Sequence, residues 1–156
     1  MKPKGLSLEQ TVSWFLVLIL GISVLNVLWQ VFTRFVLGNP SSYTEELARY
    51  LLIWIGLIGG AYASGKGIHL AIKLLPNSSQ RWCSIVIELC IVLFAVSVLL
   101  VGGIRLVHYT LTLGQTSAAL GIRVGYVYLA LPISGALITW FAATSLIQIL
   151  KDPTRR

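Results

Sequence analysis

Residues 11–33 read TVSWFLVLILGISVLNVLWQVFT, and no charged side chain occurs from Gln10 to Thr33. At about 1.5 Å of rise per residue this run covers the roughly 30 Å hydrocarbon core of a bilayer with some tilt. Within lipid every backbone N–H and C=O must find a partner without water, and a single segment achieves that only as a helix. Lys2 and Lys4 precede the run as they would in a signal peptide. The run is too long for one, and no small-residue cleavage site follows. It is read as an uncleaved first span over residues 10–33, with the N-terminus inside.

The whole 156-residue chain has the same character. Hydrophobic types make up 56% and charged types 11%, and the mean hydropathy is +0.85. A soluble domain carries roughly 25% charged residues, so too few polar side chains exist here to cover a water-facing surface. Disorder is excluded as well, because it requires low hydrophobicity and high charge.

Three further spans follow from the first. Arg34 to Arg49 is a polar interval, with a turn at Gly38-Asn39-Pro40 and Ser42 or Thr44 as N-cap of the next helix. Glu45 and Glu46 fall in that helix's first turn, where the helix dipole favours acids. The second span covers 46–65, and Gly65-Lys66-Gly67 is read as its end. IHLAIKLLP, residues 68–76, is too short to cross and is expected to lie at the membrane surface as a short interfacial helix. Pro76, Asn77, Ser78 and Ser79 break it. The third span covers 82–104, Arg105 to Arg123 forms a second polar interval, and the fourth span covers 125–150 with a kink expected at Pro132. Trp82, Tyr126 and Tyr128 suit interfacial aromatic belts. The fold class is an all-α integral membrane protein, one membrane domain over 1–156 with four transmembrane helices.

The net charge is +7. The basic residues lie between apolar blocks rather than in one patch, so no nucleic-acid partner is expected. Four spans put both termini on one side. With Lys2, Lys4, Lys66, Lys73, Arg81, Lys151, Arg155 and Arg156 inside, and Arg34, Arg49, Arg105 and Arg123 outside, the basic excess is cytoplasmic and both termini are expected there. Cys83 and Cys90 stand about 10 Å apart on one helix, too far for a disulfide, and are read as core thiols.

Ionisable groups at membrane depth are costly and point to function by default. Glu88 is the one acid inside a span, with Arg81 seven residues earlier on roughly the same face. A proton relay is open, but a structural or subunit-contact role is favoured. Glu45, Glu46 and Arg49, with Arg34 nearby, form either a solvated cluster fixing a helix end or a docking surface for another protein. Gly56 and Gly60, with Ser64 one turn on, make a small-xxx-small face for close helix approach. His69 and His108 fall on opposite sides of the membrane, which argues against a shared metal or haem site. No Walker A, HExxH or GxSxG motif is present, so the chain is not read as an enzyme and no cofactor is expected. Asn26, Gln30, Ser134, Thr139, Thr144 and Ser145 are sparse for a complete transport path.

The stretch RFVLGNPSSYTEELARYLLIWIGLIGGAYASGKGIH, residues 34–69, resembles the small four-span (Q-type) membrane subunit of tripartite ATP-independent periplasmic (TRAP) transporters. The matching residues are Arg34 followed by an aromatic, Pro40, the Glu45-Glu46-Leu47-Ala48-Arg49 block, Trp54, Gly59, Ala61 and His69. GYVYLALPISG, residues 125–135 with Tyr128 and Pro132, is similar to the family too. One departure is Lys73, where the family often has an acid.

The resemblance implies a bacterial inner-membrane secondary transporter, an ion-coupled symporter for uptake of organic acids, built in three parts. A periplasmic binding protein captures substrate. A large membrane subunit holds the substrate and coupling-ion sites, typically for sodium, and moves by an elevator-like mechanism. The small subunit packs on the large one as scaffold and helps dock the binding protein. It would hold no substrate site of its own. Arg34, Glu45, Glu46, Arg49, Arg105 and Arg123 then become docking candidates, and Trp54, Gly56, Gly59, Gly60 and Glu88 become packing or subunit-interface candidates. The alternatives are a stand-alone four-span proton-coupled small-molecule transporter, which should carry an acid deep in its first span, and a four-span oxidoreductase, which should carry loop cysteine pairs or clustered histidines. This sequence carries neither.

Overall fold

The computed structural model describes residues 5–39, 41–71 and 80–151. Six helices follow in chain order: α1 (Gly5–Phe35), α2 (Ser42–Ala71), α3 (Gln80–Phe94), α4 (Gly103–Thr112), α5 (Gly125–Tyr128) and α6 (Ala130–Lys151). A π-helical segment, Ala95–Gly102, joins α3 to α4 without a break. Four stretches are long and apolar enough to cross a membrane: Leu8–Phe35, Ser42–Lys66, Ile85–Thr112 and Gly125–Ile147. Among the described residues there is no β-strand, so the all-α membrane architecture read from the sequence stands.

Helix boundaries differ from the sequence reading where polarity was taken to end a helix. α2 begins at Ser42, itself one of the two expected cap residues, so both lie inside the helix, and Ser41 precedes it with its hydroxyl 2.7 Å from Thr44 Oγ1. α2 then runs through Gly65-Lys66-Gly67 to Ala71. A glycine costs a helix interior about 1 kcal/mol, too little to stop a helix that tertiary contacts support. The expected separate surface helix therefore begins as the last turns of α2, and Ile72 to Ser79 lie outside the described residues, as does Pro40. The third helix passes Arg105 and continues to Thr112, because a charge ends a hydrocarbon span but not a helix. The break in the fourth span falls at Leu129 rather than at Pro132. Pro132 sits in the first turn of α6, where its missing N–H and fixed φ are tolerated.

The helices pack in a row. α1 lies on α2, α2 on α6, and α6 on α3 and the π segment. Small side chains make that closeness possible. Ala61, Ala95 and Ala130 are fully buried, and Ala142 nearly so. A Cβ added at Gly135 would come within 2.8 Å of Leu99 Cβ, and one at Gly103 within 3.0 Å of Leu131 Cβ. These two contacts fix α3–α4 antiparallel to α6. At the edge of the row α1 leaves Trp14, Leu18, Leu25 and Leu28 exposed, as a lipid-facing or partner-facing helix does. Cys83 is half-buried and Cys90 exposed, both free thiols, so Cys90 is not the core residue the sequence suggested.

Candidate functional site

The polar groups concentrate at the end of the row that holds the turn between α1 and α2 and the loop between α4 and α5. The turn closes through Gly38, whose φ of +64° lies where glycine is favoured. Asn26 Nδ2 donates to the Thr44 carbonyl at 2.8 Å, and Trp29 Nε1 donates to Tyr43 Oη at 3.2 Å. These cross-helix bonds lock the start of α2 against α1, and Thr44 is buried.

The loop is built as a small closed unit. Gly114 (φ +62°) ends α4 with the N–H of Gln115 donating back to the Thr110 carbonyl at 3.3 Å, the bond pattern that terminates helices through a left-handed glycine. Thr116 and Arg123 pair in an antiparallel bridge. Ser117 N–H donates to the Ile122 carbonyl at 2.8 Å, and Val124 N–H to the Gln115 carbonyl at 3.0 Å. Gly121 (φ +66°) turns the chain between them.

Glu46 ties this loop to α2. Its Oε2 accepts the Ala119 N–H at 2.9 Å and the Leu120 N–H at 3.1 Å, while Oε1 accepts the Tyr50 hydroxyl at 2.8 Å. The Leu120 N–H is shared with Ser117 Oγ at 3.1 Å. Glu46 is thus a junction inside the chain rather than a free acid offered to a partner. The i,i+4 spacing of Glu46 and Tyr50 is visible in the sequence. The loop amides, 73 and 74 positions away, are not.

The other docking candidates stay outward. Glu45 and Arg49 pair at 3.5 Å with both side chains 68% exposed, a surface pair worth at most about 1 kcal/mol. Arg34, Arg105 and Arg123 are exposed, and among the described residues no acid lies within ion-pair distance of them. On α4, Gly103, Val107 and Thr110 face the core while Arg105, His108, Tyr109 and Thr112 point away from it. The helix from Ile85 to Thr112 has 28 residues, about 42 Å at 1.5 Å per residue. That exceeds a hydrocarbon core of roughly 30 Å, so the helix is longer than an untilted crossing needs.

The packing candidates divide. Trp54 meets Phe15 edge-on with ring centroids 6.3 Å apart, and a Cβ added at Gly59 would lie 4.0 Å from Leu16 Cδ2, so both serve the α1–α2 contact. Gly56 and Gly60 have nothing within 4 Å of an added Cβ and are exposed. Their small-residue face therefore packs on none of the chain's own described helices, which corrects one of the two partners the sequence allowed. Glu88 is fully buried, and among the described residues neither carboxylate oxygen has a hydrogen-bond partner. The antiparallel register places it level with the Ala142–Leu146 turn of α6, where the Ser145 hydroxyl is also buried without a partner among those residues. Tyr128 closes α5 half-buried, and His69 lies in the last turns of α2. Lys73 is outside the described residues. Inside the spans, Ser134, Thr139 and Thr144 donate to carbonyls of their own helix, and Asn26 to that of Thr44.

Residues 23–152 match the family described as tripartite ATP-independent periplasmic transporters, DctQ component. Three of the named proteins to which the chain is similar are as follows. A sialic acid TRAP transporter small permease protein, SiaQ, of Vibrio cholerae is 29% identical over 79% of this chain and 72% of that protein. An ectoine TRAP transporter small permease protein, TeaB, of Halomonas elongata is 33% identical over 80% of this chain and 66% of that protein. An isethionate TRAP transporter permease protein, DctMQ, of Oleidesulfovibrio alaskensis is 32% identical over 72% of this chain, but over only 18% of that much longer protein.

Proposed function

The chain belongs to the DctQ family of TRAP transporter components, and from that premise we propose that it is a non-catalytic scaffold beneath a large transport subunit. The observation that carries this reading is how the intramembrane polar groups are used. Ser134, Thr139, Thr144 and Asn26 bond to backbone carbonyls, and Glu88 and Ser145, without partners among the described residues, have their polar atoms shut away from the surface, so these groups do not line an open path along which a polar solute could exchange its hydration. The same fact disfavours a stand-alone four-span transporter. The isethionate relative supports a large membrane partner, since there the matching segment is a minor part of one longer permease.

In this reading the chain is a multi-pass subunit of the bacterial inner membrane, with the loop end periplasmic and both termini cytoplasmic. It performs no enzymatic step and holds no cofactor. Sodium coupling and the substrate site belong to the large subunit, and the periplasmic binding protein docks on the end that carries Arg34, Arg105 and Arg123. The cargo is a small organic acid or related polar solute, as the names of the relatives suggest.

The open face at Gly56 and Gly60 is the surface offered to the large subunit. Gly56→Leu with Gly60→Leu places side chains where this chain has nothing within 4 Å, so the isolated subunit is expected to keep its helicity and melting temperature. Co-purification with the large subunit is expected to fall sharply. Unchanged co-purification would show that this face is not the contact.

A further inference from the structure

We propose that Glu46 is a positioning residue for docking: it does not touch the binding protein but holds the Ser117–Arg123 loop, and with it Arg123, in the orientation a partner meets. This rests on the docking reading above.

Glu46 and the loop belong to different parts of the row, one at the start of α2 and the other between α4 and α5. Two backbone amides and one hydroxyl converge on its carboxylate at 2.9, 3.1 and 2.8 Å. Ala119 and Leu120 lie in the turn that closes the Thr116–Arg123 bridge, so anchoring those amides fixes the bridge, and Arg123 is one of its two ends. Ser117 is buried beside this anchor while Arg123 is exposed. The carboxylate is thus spent inward and the guanidinium presented outward, on the same loop. Charge-assisted bonds to backbone N–H groups are among the stronger hydrogen bonds available to a protein. Without them the loop would depend on its own bridge and on two left-handed glycines.

Geometry separates positioning from direct contact. A glutamine at 46 keeps an oxygen at the same reach for both amides and can donate its NH2 to Tyr50 Oη. An aspartate keeps the charge but is one methylene too short. Positioning therefore predicts rescue by Gln and failure of Asp, whereas an ionic contact to a partner predicts loss with Gln.

The test uses the assembled two-subunit membrane complex in lipid nanodiscs with its purified binding protein. Amide hydrogen exchange over residues 115–124 and binding-protein affinity are read in E46A, E46D, E46Q, R123A and E46A/R123A. In E46A and E46D, exchange at Ala119 and Leu120 should quicken and affinity weaken about tenfold, while E46Q, which keeps the acceptor in place but loses the charge assistance, should be the mildest of the three. E46A/R123A should be no weaker than R123A alone, because both changes remove the same presented arginine. If R123A weakens binding while E46A frees the loop without weakening it, or if E46Q is as poor as E46A, the positioning role is overturned and the docking reading survives. If R123A leaves affinity unchanged, Arg123 is not presented to the partner and this proposal fails, while the docking reading fails with it only if replacing Arg34, Arg105 and Arg123 together by glutamate also leaves affinity unchanged.

Discussion

Gly135→Leu is expected to destabilise the row of helices strongly. A Cβ at this position would lie 2.8 Å from Leu99 Cβ and 3.1 Å from the Leu100 backbone nitrogen. The second contact is the decisive one, since a backbone atom cannot rotate away as a side chain can. α6 would have to separate from the π segment over the same turns in which Ala95 and Leu99 are buried. Overpacking a tight core costs about 1–3 kcal/mol and sometimes more, against a total stability of about 5–15 kcal/mol. Three further side-chain carbons beyond the Cβ push this site to the upper end. Detergent-extracted Gly135→Leu should yield little monodisperse protein and melt at least about 8 °C lower. Gly60→Leu is the control, with nothing within 4 Å. A Gly135→Leu protein that melts like wild type would show that α6 does not approach the π segment so closely.

The second large effect concerns charge. Replacing Arg34, Arg105 and Arg123 together by glutamate should abolish binding-protein-dependent uptake while leaving the membrane subunits assembled. These side chains are exposed, have no ion-pair partner among the described residues, and lie at one end of the row. Glu45 is engaged with Arg49, and Glu46 with the loop, so that end presents an unbalanced positive face. Opposite charges steer encounter and fix register, and like-charge juxtaposition costs several kcal/mol. A loss of at least about 100-fold in apparent affinity for the binding protein follows from a cost of that size. Lysine at the same three positions should restore much of it, and raising the salt should weaken the wild-type interaction. Uptake by the triple glutamate variant at the wild-type level would remove these arginines from the docking surface.

How far the sequence reveals this architecture depends on the kind of signal. The four spans are legible because charge-free runs of bilayer length have few alternatives. Helix ends are not, because the sequence marks where hydrocarbon stops and a helix can continue past that point. Arg105 and His108 fall in a polar interval of the sequence yet form the outward stripe of α4. Gly65-Lys66-Gly67 reads as a stop yet lies within α2. The glycines mislead in a similar way. Gly56 and Gly60 carry the recognisable spacing and remain open, while Gly103, Gly125 and Gly135, with no such pattern among them, sit where an added Cβ would meet a neighbour at 3.0 Å or less. A small residue permits approach, but only its neighbours in space decide whether approach occurs. Glu46 shows the same limit. Its position in an acidic first turn is legible, and its anchoring of a loop more than 70 residues away is not.

Uptake by purified components tests the central claim, that this chain supports transport without performing it, most directly. Proteoliposomes holding this subunit alone, the subunit with its large membrane partner, or both with the soluble binding protein would be given labelled substrate under an inward sodium gradient, then under a proton gradient. The expected result is no uptake above protein-free vesicles for the subunit alone, and concentrative uptake only when the large subunit and the binding protein are both present. Gradient-driven uptake by the purified subunit alone would contradict the account.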